Sequence, residues 1–270
     1  MSPLFVPAVD LLHSLGITEP DEIDIYAIAQ TQGATVIEKP VTGCEARIIG
    51  YGDNALIVVN SESIPPRKRF SAAHELGHWM RDAGKISLGC NPDSQLGRSE
   101  FNPETRANNY ASDILLPKFM FVPRAEKRPM TFETASDLAN TFRTSLTATA
   151  IRLVDYASYP SMLVGSDAKG IRWFRRGSGV PEILRPQVAG RMTFASDLVK
   201  RSVVERNHGD VYSDQWFPSV RRHSLHEDSR RIGDDLVLSL LWWKDEGPLI
   251  EIEEEQERRA YRRSDWRDDD

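Results

Sequence analysis

Residues 74–78 read His-Glu-Leu-Gly-His, two imidazoles and a carboxylate at a spacing that suits hydrolysis assisted by a metal ion. On an α-helix His74 and His78 fall on one face about a turn apart, so both rings reach one cation while Glu75 stands beside them. Two neutral nitrogens hold zinc weakly. The motif therefore requires a third ligand, an open coordination position for water, and a carboxylate that takes the water's proton. Two downstream acids compete for the third place, Glu104 and Glu100. Glu104 follows Asn102-Pro103, a capping residue and a first-turn proline, and shares an inward stripe with Ala107 and Ala111. Glu100 precedes the cap in a loop and would be held less firmly. An inward-facing acid needs a partner, and a cation on His74 and His78 supplies one. Glu104 is thus the expected third ligand and Glu75 the expected general base. Asn108, one turn beyond Glu104, either orients a ligand or caps local backbone.

These side chains need particular elements to bring them together. Pro65 and Pro66 suit the first turn of a helix, and Phe70, Ala73, Gly77 and Met80 continue it as an apolar stripe adjoining the histidines. Gly77 costs that helix about 1 kcal/mol relative to alanine, which marks a close approach by substrate or a neighbouring strand. The Glu104 helix stops at Pro117. Before the motif, residues 46–50 and 55–60 are β-rich runs around Tyr51-Gly52-Asp53-Asn54, a turn, and read as a hairpin. Its edge either accepts an extended peptide by strand addition or is plain scaffold.

Two blocks carry a family resemblance. Arg67-Lys68-Arg69-Phe70-Ser71-Ala72-Ala73-His74-Glu75-Leu76-Gly77-His78 is the first, and Glu104-x-x-Ala107-Asn108-x-Tyr110-Ala111-x-x-Ile114-Leu115-Leu116-Pro117 is the second. In this order and separation they resemble the ImmA/IrrE family of bacterial and phage metallo-endopeptidases, over roughly residues 22–155. The resemblance implies a zincin-like domain in which His74, His78 and Glu104 bind zinc and Glu75 is the general base. It also implies a regulatory substrate, a helix-turn-helix transcriptional repressor whose cleavage switches on a stress, phage or mobile-element response. Tyr110 stands where the family often has phenylalanine and Arg106 where an acid is common; neither is an expected ligand. The rival from another class is a non-catalytic metal-binding regulator, or a toxin–antitoxin component, that grips a repressor or antitoxin. Intact Glu75 counts against it. Imidazole and carboxylate ligands also accept Mn2+ or another divalent ion in place of Zn2+.

The whole chain, 270 residues with 40% hydrophobic and 27% charged content, is long enough for a sizeable core. The fold class expected is α+β: a zincin-like metallopeptidase domain with a helical pair over 1–158, a smaller α+β region over 159–253, and a charged, disordered tail over 254–270. No run of 18 apolar residues and no basic-then-apolar leader is present, so neither a membrane span nor a signal peptide is expected. The two cysteines, Cys44 and Cys90, make no disulfide framework; both are expected to be reduced, in a cytoplasmic protein, with a redox-sensitive inhibitory ligand as the alternative use. A net charge of −6 and a second helix carrying Arg152 as its basic residue argue against direct nucleic-acid binding by residues 137–156, whose spacing resembles helix-turn-helix.

In the C-terminal region, residues 161–164 and 171–174 read as one hairpin, and residues 236–243 and 249–253 as another. Trp173, Trp216, Trp242 and Trp243 are expected in a core. His223 and His226 read as part of a solvated, arginine-rich helix face. Tyr51 and Tyr110 qualify by type alone as groups that could steady an oxyanion.

Overall fold

A computed structural model describes residues 5–265 except 83–101, 157, 188, 189, 191, 201–203, 219, 221 and 234. Glu100 and Cys90 lie outside the described residues. The chain is mixed α+β and forms two compact units, residues 1–124 with 137–149, and residues 125–136 with 150–270.

In the first unit α1 (Ala8–Ser14) and α2 (Ile25–Thr31) precede a three-stranded sheet of β1 (Ala34–Lys39), β2 (Ala46–Tyr51) and β3 (Asn54–Asn60), in the order β1-β3-β2. The expected hairpin is β2–β3, antiparallel with Ile48 opposite Ile57 and Tyr51 opposite Asn54. Gly52 turns it with φ +60°, a conformation glycine adopts without steric cost. β1 joins β3 in parallel, Ala34 opposite Ala55. Alternation along β3 buries Ala55, Ile57 and Val59, and Ala46 and Ile48 of β2 are buried likewise.

α3 (Pro65–Asp82) packs on β2, β3 and α2, and most extensively on α4 (Pro103–Leu115). Its two leading prolines lack N–H groups that would be unsatisfied in a first turn anyway. The sequence suggests one apolar stripe along α3, yet every residue from Ser71 to Met80 is buried. A helix packed by both sheet and helix has no face left for water, so its polar residues must find partners inside. Asn102 caps α4, its Oδ1 accepting from the Glu104 amide at 3.0 Å. α5 (Lys118–Ala125) follows Pro117.

The chain passes between the units along α6 (Phe132–Phe142) and α7 (Leu146–Asp155). The second unit is built on a five-stranded antiparallel sheet of β4 (Ser161–Asp167), β5 (Gly170–Arg176), β6 (Arg206–Tyr212), β7 (Ser224–Ile232) and β8 (Leu236–Trp242), ordered β5-β4-β8-β7-β6. Met162, Val164, Leu225, Val237 and Leu241 form a core on one face with Leu198 of α8 (Phe194–Lys200) and with Trp216, Phe217 and Trp243. Two sequence readings fail here. Residues 249–253 are not a strand: they belong to α9 (Gly247–Asp265), whose Leu249 and Ile252, three apart, are both buried. Asp245 Oδ1 receives the Gly247 amide at 3.1 Å, and helix-favouring Glu and Arg carry α9 into the charged stretch. His223 and His226 are not on a helix either. His226 lies within β7, Nδ1 3.0 Å from Asp210 Oδ1 on neighbouring β6, because pairing with β6 and β8 overrides local charge pattern. Among the described residues no helix is long and apolar enough to cross a membrane.

Candidate metal centre

α3 and α4 each contribute side chains spaced four residues apart, and the two pairs face each other. His74 and His78 stand one turn apart on α3; Glu104 and Asn108 stand one turn apart on α4. His74 Nε2 and His78 Nε2 are 3.1 Å apart. Glu104 reaches both, Oε2 at 3.3 Å from His74 Nε2 and Oε1 at 3.3 Å from His78 Nε2. Behind His74, its Nδ1 lies 2.9 Å from Asn108 Oδ1.

So close a meeting of two helices needs small residues at the contact. A Cβ on Gly77 would sit 3.1 Å from the Ala107 backbone and 3.1 Å from Tyr110 Cβ. The close neighbour expected at Gly77 is therefore helix α4, neither substrate nor strand. Ala107 lies between Glu104 and Asn108 in the chain, so the contact that lets the helices touch also sets the level at which their polar pairs meet. Tyr110 is 3% exposed, and its buried hydroxyl has no hydrogen-bond partner among the described residues. Burial raises its pKa, so it stays a neutral phenol.

The electrostatics favour neutral imidazoles. Burial lowers the pKa of His74, with the Glu104 carboxylate and Asn108 opposing. It lowers His78 further, to about 4, with the charge of His74 adding to the effect. A neutral ring has a lone pair to give a cation, so the burial that makes these groups poor bases leaves them ready as ligands. Ligands at about 2.0–2.2 Å from zinc in a tetrahedron lie about 3.3–3.6 Å from one another. The three separations here, 3.1, 3.3 and 3.3 Å, lie at or just below the short end of that spacing. His74, His78 and Glu104 are, among the described residues, the group of His, Cys, Asp and Glu side chains able to hold an ion. Glu75 is 1% exposed on the same helix. Cys44 is half-buried and reduced, its Sγ accepting from Arg47 Nε at 3.1 Å.

β2 lies alongside this centre. Glu45, just before it, pairs with Arg67 at 3.1 Å, while a Cβ on Gly50, near its end, would meet the Trp79 ring at 3.2 Å. The strand thus runs with α3, about 16 Å of strand against about 18 Å of helix, its middle at the level of the histidines. The Asn60 amide donates to Glu45 O at 2.9 Å, which makes 45 and 60 a hydrogen-bonded pair. By alternation Arg47, Ile49 and Tyr51 bond to β3, and the N–H and C=O of Ile48 and Gly50 point to the outer edge of the sheet.

A helix-borne pair of histidines, a carboxylate from the following helix and a strand beside them define a metallopeptidase-type domain. Residues 29–154 match the family model of the peptidase family described as the IrrE N-terminal-like domain. Residues 29–154 thus belong to that family, as the two sequence blocks implied. No curated protein matches it in sequence. Among solved structures it is similar to a Mycobacterium tuberculosis transcriptional regulator, with 15% identity, a TM-score of 0.61, and coverage of 87% of this chain and 73% of that one. That likeness is one of fold.

Proposed function

We propose that the protein is a zinc-dependent endopeptidase in which His74, His78 and Glu104 hold the metal and Glu75 is the general base. The observation that carries this reading is the convergence of three potential ligand atoms at 3.1, 3.3 and 3.3 Å on two packed helices. A divalent cation there supplies Lewis acidity, polarising a peptide carbonyl and making a water more acidic. Glu75 takes the proton of the attacking water on a carboxylate oxygen and returns it to the nitrogen of the departing chain. The outer edge of β2 offers the N–H and C=O of Ile48 and Gly50 to an extended substrate, which strand addition would lay along α3. The donor set accepts manganese as well as zinc.

The family resemblance supports a helix-turn-helix repressor as substrate, cut in the cytoplasm to switch on a stress, phage or mobile-element response. The test measures metal content by mass spectrometry in wild type, His78→Ala and Glu75→Gln, together with cleavage of a co-encoded repressor. We expect one ion in wild type and Glu75→Gln, none in His78→Ala, and cleavage by wild type alone. A wild type that carries no metal sinks the reading. Metal in wild type with a bound but uncut repressor transfers the assignment to a non-catalytic, metal-binding regulator.

A further inference from the structure

We infer that Asn108 is a positioning residue of the metal centre, its side-chain carbonyl holding His74 in the tautomer and orientation that aim Nε2 at Glu104 and His78. The inference rests on the endopeptidase reading for its consequence, although the contact itself is independent of any reaction. His74 touches α4 twice: its Nε2 faces Glu104 Oε2 at 3.3 Å and its Nδ1 faces Asn108 Oδ1 at 2.9 Å. An amide oxygen only accepts, so the proton of a neutral His74 sits on Nδ1, which donates to Asn108 and leaves the Nε2 lone pair free. The opposite tautomer would set a lone pair against a lone pair at Asn108 and a proton where a cation should be.

The two rings are not held alike. His78 Nδ1 is buried and has no hydrogen-bond partner among the described residues, so its orientation comes from packing and from Glu104. Glu104 and Asn108, four apart, project from one face of α4, and the amide therefore arrives at His74 by the same helix register that delivers the carboxylate. A metal-bound imidazole that donates its other N–H to an acceptor is a stronger and better directed ligand. Asn108 supplies that acceptor as a neutral group, so the centre gains a directed ligand without a second negative charge.

The test compares the full-length protein with Asn108→Leu, which keeps the shape and removes the acceptor, and Asn108→Asp, which keeps the acceptor. Zinc affinity is read by competition with a chromophoric chelator. The His74 tautomer is read from ring 15N shifts of the metal-free protein near neutral pH. We expect Asn108→Leu to bind zinc about 10- to 100-fold more weakly. Asn108→Asp should stay within about threefold of wild type, and His74 should carry its proton on Nδ1 in wild type. Equal zinc affinity in wild type and a folded Asn108→Leu overturns the inference and leaves the endopeptidase reading standing. A wild-type His74 protonated on Nε2 overturns it whatever the variants do, including an Asn108→Leu that does not fold. A wild type that binds no zinc while showing the Nδ1–H tautomer overturns the metal reading and the positioning role with it.

Discussion

Carboxylates largely withdrawn from solvent occur in both units of the protein, and they are treated in opposite ways. In the second unit Glu227 and Asp228, adjacent on β7, are fully buried and point to opposite faces of the sheet. Glu227 accepts from the Ala195 amide at 2.6 Å, from Trp216 Nε1 at 3.1 Å and from Ser229 Oγ at 2.7 Å. Asp228 accepts from Arg206 Nε and Nη2 at 2.9 and 2.8 Å and from the Phe132 amide at 2.7 Å. Every donor comes from the unit itself, and two of them are amides in the first turns of α8 and α6. In the first unit Glu104 instead faces two imidazole nitrogens on rings that burial keeps neutral, so that three potential ligand atoms converge at 3.1, 3.3 and 3.3 Å. A buried polar cluster that closes its own hydrogen bonds is scaffold. One whose lone pairs converge is incomplete without a cation.

That contrast can be broken experimentally. The largest effect belongs to Glu104→Ala, which should weaken metal binding about 10²- to 10³-fold while leaving the metal-free protein as stable as wild type. Isothermal titration with zinc and urea unfolding of both forms decide it; a strong loss of stability would make Glu104 scaffold after all. Asp228→Ala should do the reverse, costing about 3 kcal/mol because Arg206 loses its partner, with zinc affinity unchanged. Chemical denaturation followed by tryptophan fluorescence measures that loss, and Trp216 and Trp243 in the second core report on it directly.

Gly77→Ala should cost about 1–3 kcal/mol through its clash with the Ala107 backbone and, by forcing α3 from α4, weaken zinc binding as well. A variant with wild-type stability and affinity would show that the helix contact has slack. The smallest effect is a slope. Burial raises the Glu227 pKa above the ordinary 4.5, so the folded state favours the neutral acid. Its contribution is full below that ordinary value and is lost as pH rises through the folded one. Glu227→Gln is neutral throughout, so its stability relative to wild type should rise as pH climbs from the ordinary carboxylate value through the raised, folded one. A flat difference would place the folded pKa at its ordinary value.

The first unit was far more legible than the second, for a physical reason visible in particular residues. Proline at positions 65, 66 and 103, Asn102 as a cap and the turn at Gly52 act locally, within a few residues of themselves, and each formed the element expected of it. β7 and α9 depend on distant partners instead. Nothing within a few residues of His226 announces that β6 and β8 will pair with its strand. Leu249 and Ile252 in a short apolar run suit either period until the core that buries them is known. The inward side of α4 could be read from spacing, but the all-round burial of α3 could not, since only the assembled sheet and α4 cover its remaining faces.

The sequence by itself determined the chemistry available: which side chains carry lone pairs, which helices carry them, and the four-residue spacing that sets each pair on one face. Only the tertiary structure decided the rest. It brought α4 to α3 at Gly77, set Glu104 at 3.3 Å from both rings and placed Asn108 behind one ring and, among the described residues, no hydrogen-bond partner behind the other. Those outcomes depend on helix register and approach distance, which chain-remote packing controls and local spacing leaves open.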